Sequence, residues 1–314
     1  MIDRMEDGSY ALVPRELPLD DAFHVSGEVA TGFRGGSIVV GLKSLEAEYR
    51  EGARMRVQAV EQDGSWVPLD EDGLIAWSFY HHLATARDQL IEQGHDVQPL
   101  YPLRFAYQPT FALDFLGVEN AAYVAGTGSF VILPDAFEGV PLAANAGVVR
   151  HEFGHAWFER LMTAGPVIAD EEQNAVGALN EGFADMVGSL LLDDPAFIDP
   201  SLPLPDRHLV PEHVATPQKY PTPDQGPLDY DPYVLGSVYA SFMWNVRLAS
   251  SPEEALTLAA DAVVTYAGQA VDDGYADTDR FVQAVLDAAT GDLHEASCVA
   301  AGRQFPDRAF EGCR

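Results

Sequence analysis

Lysine is nearly missing from this sequence: Lys43 and Lys219 are the only two in 314 residues. Arginine does not make up the deficit, since 18 basic side chains stand against 49 acidic ones and the net charge is −31. A surface that anionic repels phosphate backbones and acidic lipid, which excludes nucleic acid and membrane as partners. It suits a protein kept soluble outside the cell or in saline surroundings. The scarcity of lysine itself has no functional account. No apolar run approaches the ~18 residues of a membrane-spanning helix. The opening Met1 to Asp7 lacks the pattern of a secretory signal peptide, as expected of a trimmed mature form. Cysteine is equally sparse. Cys298 and Cys313 have the wrong spacing for a zinc pair. A disulfide between them is favoured over two buried thiols; closing so short a loop contributes roughly 3 kcal/mol in the chain-entropy picture. It implies an oxidising compartment. Internal repeats and low-complexity segments are also missing.

What is plentiful is apolar. At 47% hydrophobic residues, the chain can build a substantial core in one large or two medium domains. From Val148 to Phe158 apolar residues recur at helical spacing, which predicts a buried helix. That stretch contains His151-Glu152-Phe153-Gly154-His155. Residues i and i+4 share a helix face, so both imidazoles can reach one metal ion. Glu152 lies about 100° around the axis, where it can reach a water without being a ligand. The H-E-x-x-H pattern therefore offers two zinc ligands and a general base. A zinc hydrolase also needs a third protein ligand and an open position. Downstream, Asn180-Glu181-Gly182-Phe183-Ala184-Asp185 lies in a second helix-like run from Gln173 to Leu192. Glu181 fits the third ligand. Asp185, one turn on, can hold a ligand histidine in one tautomer. The rest of that run is apolar or small, and buried carboxylates there call for a cation.

H-E-x-x-H followed by N-E-G-x-A-D resembles the gluzincin metalloproteases, the thermolysin and fungalysin groups. Several stretches extend the resemblance. Gln173 to Glu181 is similar to the approach to the third ligand. Asn120-Ala121-Ala122-Tyr123 is similar to the substrate-binding edge strand, and Arg207-His208-Leu209 to the arginine segment bordering the substrate site. Asp231 to Gly236 is similar to the fungalysin-like H-x-x-G segment, and Ser78 to Asp88 to the helix before the sheet. The resemblance runs from Phe79 to Arg247 and leaves both ends of the chain unmatched. It implies an α+β, two-lobed, thermolysin-like zincin. Its β-rich N-terminal lobe, residues 1–160, would carry the edge strand and the metal helix; residues 161–314 would form a mainly helical C-terminal lobe. It implies Zn2+ on His151, His155 and Glu181, Glu152 as base, Asn120 and Ala121 along the substrate, and Arg207 on a substrate carbonyl. In one place the chain departs from the family: Tyr233 stands where its relatives carry histidine. A phenol can still donate to an oxyanion, and His208 or His213 are alternative donors. Calcium is compatible with the family but unsupported, because Gly147 and Leu192 fall where carboxylates are expected.

Residues 1 to 70 predict strands and turns, with a turn at Gly32 to Gly36 before a strand at Ser37 to Leu42. A strand is expected at Arg54 to Val60, and Asp63-Gly64 is a hairpin signal. A helix is expected over Asp72 to Gln93. Its His81-His82 pair reads as packing and surface, because adjacent helical residues point to different faces. Strands are expected at Leu103 to Tyr107, Ala121 to Val124 and Ser129 to Leu133, then a loop from Pro134 to Asn145. Asp193 to Leu228 is too polar and Pro-broken for regular structure. Helices are expected over Pro232 to Leu248, Pro252 to Ala267 and Thr278 to Ala289. Together these features lead to the expectation of a secreted, monomeric zinc endopeptidase acting on peptide or protein. The alternative is a catalytically weak relative that binds peptides.

Overall fold

In this computed structural model, residues 1–21, 23–40, 47–111, 120–134, 139–162, 173–222, 224–226, 229–273 and 277–313 are described. Residues 41–42 of the expected strand, 135–138 of the expected loop, and 223, 227 and 228 of the Pro-rich stretch lie outside them. The chain forms two units. One comprises Met1–Ala156 with Phe197–Pro203, the other Trp157–Ala196 with Leu204–Arg314.

The first unit opens with β1 (Ile2–Arg4) and β2 (Tyr10–Leu12), an antiparallel pair. Next come β3 (Ala30–Val40), β4 (Ala47–Arg54), β5 (Ala59–Gln62) and β6 (Ser65–Pro68). Helix α1 (Glu71–Glu92) follows, then β7 (Leu103–Tyr107), β8 (Thr110–Phe111), β9 (Asn120–Val124) and β10 (Ser129–Leu133). The main sheet has the order β4-β3-β7-β10-β9, with β8 pairing to β3. It is mixed: β3–β7 and β7–β10 are parallel, while β3–β4 and β9–β10 are antiparallel.

Asp70 starts α1 by accepting the Gly73 N–H at 2.8 Å, the usual way to satisfy a first-turn donor. The helix packs on the sheet through Phe79, whose ring meets Phe105 of β7 and Phe130 of β10 edge-on at 5.3 and 5.7 Å. Two local expectations fail. Gly32 to Gly36 is no turn but part of β3, where Gly35 and Gly36 take positive φ values of 73° and 93° within a strand that pairs with β4 on either side of Gly35. Arg54 to Val60 is not one strand: β4 ends at Arg54 and β5 starts at Ala59. The alternation is real, with Met55 and Val57 buried. It is satisfied by an irregular segment instead, through Val25 N–H to Met55 O at 3.3 Å and Val57 N–H to Phe23 O at 2.8 Å.

Helix α2 (Ala146–Leu161) begins in the first unit and ends in the second. The second unit continues with α3 (Gln173–Leu190), α4 (Tyr233–Leu248), α5 (Pro252–Asp273), α6 (Asp279–Ala288) and α7 (Gly291–Gln304). The sequence reading did not anticipate α7. Cys298 in α7 is bonded to Cys313, with 5.3 Å between their Cα atoms, as expected. No described helix is long and apolar enough to cross a membrane.

Helices α3 and α4 touch backbone to backbone. A Cβ on Gly182 would lie 2.7 Å from the Gly236 carbonyl oxygen, and one on Gly236 would lie 2.9 Å from that of Ala178. Only glycine allows so close an approach. Gly182→Ala should therefore destabilise the protein by about 1–3 kcal/mol, read as a lower urea midpoint. An unchanged midpoint would show that the helices separate freely.

Candidate metal centre

The site begins with the way α2 is started. Asn145 Oδ1 accepts the N–H groups of Gly147 and Val148, at 2.8 and 3.4 Å. The hydroxyl of Tyr10, from β2, donates to the same oxygen at 2.8 Å and accepts the Ala146 N–H at 2.9 Å. Asn145 Nδ2 donates to Ser201 Oγ at 2.9 Å. The first-turn donors of the helix thus have partners, and the start of α2 is fixed to two distant parts of the chain. Burial and lost hydration raise the Tyr10 phenol to about 12, which keeps it a neutral donor.

One and a half turns on, α2 carries Arg150, His151, Glu152 and His155, all buried. His151 and His155 present their Nε2 atoms to each other at 3.1 Å, with rings nearly perpendicular at 87°. Two imidazole lone pairs at that distance repel unless a proton or a cation lies between them. The edge of a tetrahedron with zinc–nitrogen bonds of 2.0–2.1 Å is about 3.3 Å, so the pair fits a zinc ion. Phe197 stacks on the His151 ring, 23° from parallel with centroids 6.4 Å apart. Glu152 lies between that pair and β9. Its Oε2 accepts the backbone N–H of Tyr123 in β9 at 2.6 Å, and Oε1 lies 3.9 Å from His151 Nε2. The buried carboxylate is held by a main-chain donor beside the imidazoles. No local sequence pattern signals this contact, because the two residues lie on separate elements.

Among the described strands, β9 is last in the order of the main sheet, at Asn120–Val124. Asn120 is half-buried, while Ala121 keeps 3% of its surface.

In the second unit, Glu181 is half-buried on α3 and Asp185 is fully buried one turn later. Arg207 Nη2 donates to Asp185 Oδ1 at 2.5 Å. The guanidinium also lies over the Tyr233 ring, 3.9 Å from its centroid, where the ring face attracts a cation. Burial opposes the Arg207 charge, but Asp185, Tyr233 and Glu181 together raise its pKa above the ordinary value. Tyr233 is the first residue of α4, its N–H accepted by Asp231 Oδ1 at 3.0 Å. The structure thus brings Arg207, Asp185 and Tyr233 together, an arrangement the sequence reading did not foresee for Asp185. His213 Nε2 donates to the His208 carbonyl at 2.8 Å, and burial lowers its pKa.

The fold is similar to that of the precursor of protealysin, a metalloproteinase from Serratia proteamaculans. The TM-score is 0.54, over 90% of this chain and 89% of that one, at 17% identity. The chain therefore shares the α+β fold of a metalloproteinase precursor. No family model matches the sequence, and no curated protein does.

Asn145→Ala should cost about 1–2 kcal/mol through loss of the cap, seen in urea unfolding. It should also raise amide exchange in the first turn of α2. Unaltered exchange there would remove Asn145 and Tyr10 as the anchors of this helix.

Proposed function

We propose that the chain is a secreted, zinc-dependent endopeptidase. The observation that carries this reading is the pair of imidazole nitrogens facing each other at 3.1 Å, next to a buried carboxylate on the same helix. The fold's likeness to a metalloproteinase precursor and the disulfide support it further, the latter because such bonds persist in oxidising surroundings. Zinc, held by His151, His155 and Glu181, would supply Lewis acidity to a substrate carbonyl and to a water.

The chain's own residues do the rest. Glu152 takes the proton from the attacking water and passes it to the leaving amine. The Tyr123 N–H keeps that carboxylate in one rotamer while it waits. An extended substrate adds along β9 at Asn120 and Ala121 by main-chain hydrogen bonds. Tyr233 donates its phenolic proton to the developing oxyanion, a contribution typically worth roughly 3 kcal/mol of barrier. Arg207 holds that ring from its face, and through Asp185 it is fixed to α3.

Zinc-loaded protein incubated with a mixed peptide library should cut internal bonds. Glu152→Gln should lower kcat/KM by about 10²–10⁴-fold with zinc content unchanged. Tyr233→Phe should lower kcat by about 10²-fold and leave KM in place. Internal cleavage that survives Glu152→Gln would defeat the assignment of the base. A wild-type protein that binds zinc and cuts nothing would make this a peptide-binding relative.

A further inference from the structure

A second cluster of metal-type donors lies in the first unit, away from α2's histidines in sequence. Asp3 of β1 and the neighbours His81 and His82 of α1 each offer an atom within 4.8 Å of the others. Adjacent helical residues diverge, yet these two rings sit 5.3 Å apart between centroids. They converge because one uses its far nitrogen and the other its near one. His81 Nε2 lies 3.3 Å from Asp3 Oδ2, and His82 Nδ1 lies 4.0 Å from Asp3 Oδ1.

The hydrogen bonding around His82 fixes its chemistry. His82 Nε2 sits 3.1 Å from the Ala144 carbonyl oxygen, which can only accept, so the proton is on Nε2. The neutral ring then points the lone pair of Nδ1 at a carboxylate. A distance of 4.0 Å is too long for a hydrogen bond in either protonation state. The 3.3 Å between His81 Nε2 and Asp3 Oδ2 is close to a tetrahedral zinc edge, while the 4.0 Å to His82 Nδ1 is wider than that edge, so His82 would close in on a seated ion. A histidine whose other N–H is held by a backbone carbonyl is also the usual second-sphere arrangement of a metal ligand. His82 and Asp3 are buried, and the His81 side chain keeps 14% exposure, which leaves a way in.

We propose that Asp3, His81 and His82 bind a divalent transition-metal ion of the zinc class, separate from the ion of the catalytic reading. Its place is structural. It would join β1 to α1 and, through His82 and Ala144, to the residue just before the Asn145 cap. The positive groups nearby set its affinity. Arg15 Nε holds Asp3 Oδ2 at 2.6 Å, Arg4 donates its backbone N–H to Asp3 Oδ1 at 2.8 Å, and the buried Arg150 guanidinium acts on His82. Arg15 is the direct competitor, and at 41% side-chain exposure it can swing into solvent.

The test counts bound metal. The full chain is stripped with a chelator, dialysed against zinc and assayed for metal by atomic emission, then titrated with cobalt(II) and followed by its visible absorption. The wild type should hold two equivalents. Asp3→Asn and His81→Gln should each hold one, and so should the double variant His151→Gln, His155→Gln. Arg15→Gln, on an exposed side chain, should bind the second cobalt about tenfold more tightly. A single equivalent that persists in Asp3→Asn and His81→Gln but is lost in the double variant would overturn the proposal and leave the catalytic reading intact. A single equivalent with the opposite pattern would support it and defeat the catalytic reading. Unchanged affinity in Arg15→Gln would count against it independently of how well the other variants fold.

Discussion

Helix α2 must bury four polar side chains within about a turn and a half of one another, and much of the first unit is arranged to make that affordable. Arg150, His151, Glu152 and His155 all lie below a tenth of their exposed surface. A buried polar group without a partner costs on the order of a few kcal/mol, and three of the four draw on other elements. Glu152 takes a main-chain donor from β9, and Arg150 donates to Gln89 of α1 at 2.9 Å. His151 is steadied by the Phe197 ring. The start of the helix is held by Tyr10 and Ser201 through Asn145. Strand, helix and returning segment therefore meet at α2 because its polar residues need them, and that need keeps the imidazole pair in one geometry.

The second unit solves a different problem by a different means. There the carboxylates of α3 lie beside an arginine, and an aromatic ring covers the other side of that arginine. Asp185, Arg207 and Tyr233 belong to a helix, a loop turn and the start of another helix. Their relative positions rest on the glycine contact between α3 and α4, since Tyr233 lies one turn before Gly236. The Tyr233 ring is thus packed against a cation, and the guanidinium over its face helps to fix the orientation of the phenol.

Local patterns in the sequence carried a good deal of this. Helical periodicity placed α1, α2, α3 and α4 within a few residues, because each has a long apolar face and clear ends. The two-residue signal Asp63-Gly64 placed the β5–β6 hairpin. H-E-x-x-H put two imidazoles on one face because that is a property of the helix alone. What escaped was non-local. The glycines of β3 look like a turn, and two of them do take positive φ, but pairing with β4 carries the strand on through them. The alternation at Met55 and Val57 is real, but its partner is an irregular segment. His81 and His82 read as diverging neighbours because Asp3, which lies between them, is 78 residues away in the chain. The Tyr123 N–H has no side-chain signature at all, since any residue could supply it.

The disulfide reaches further than the loop it closes. Cys313 keeps the last turns of the chain against α7, and there Phe310 meets Phe305 edge-on at 6.0 Å. Phe305 in turn packs on Tyr239 and Phe242 of α4, at 5.6 and 6.1 Å. An exposed segment ordinarily exchanges its amide protons through openings that cost little. Here the opening of the segment after α7 would have to pull Phe310 from Phe305, and Phe305 from the middle of α4. The disulfide thereby couples the loosening of that segment to the aromatic packing of α4.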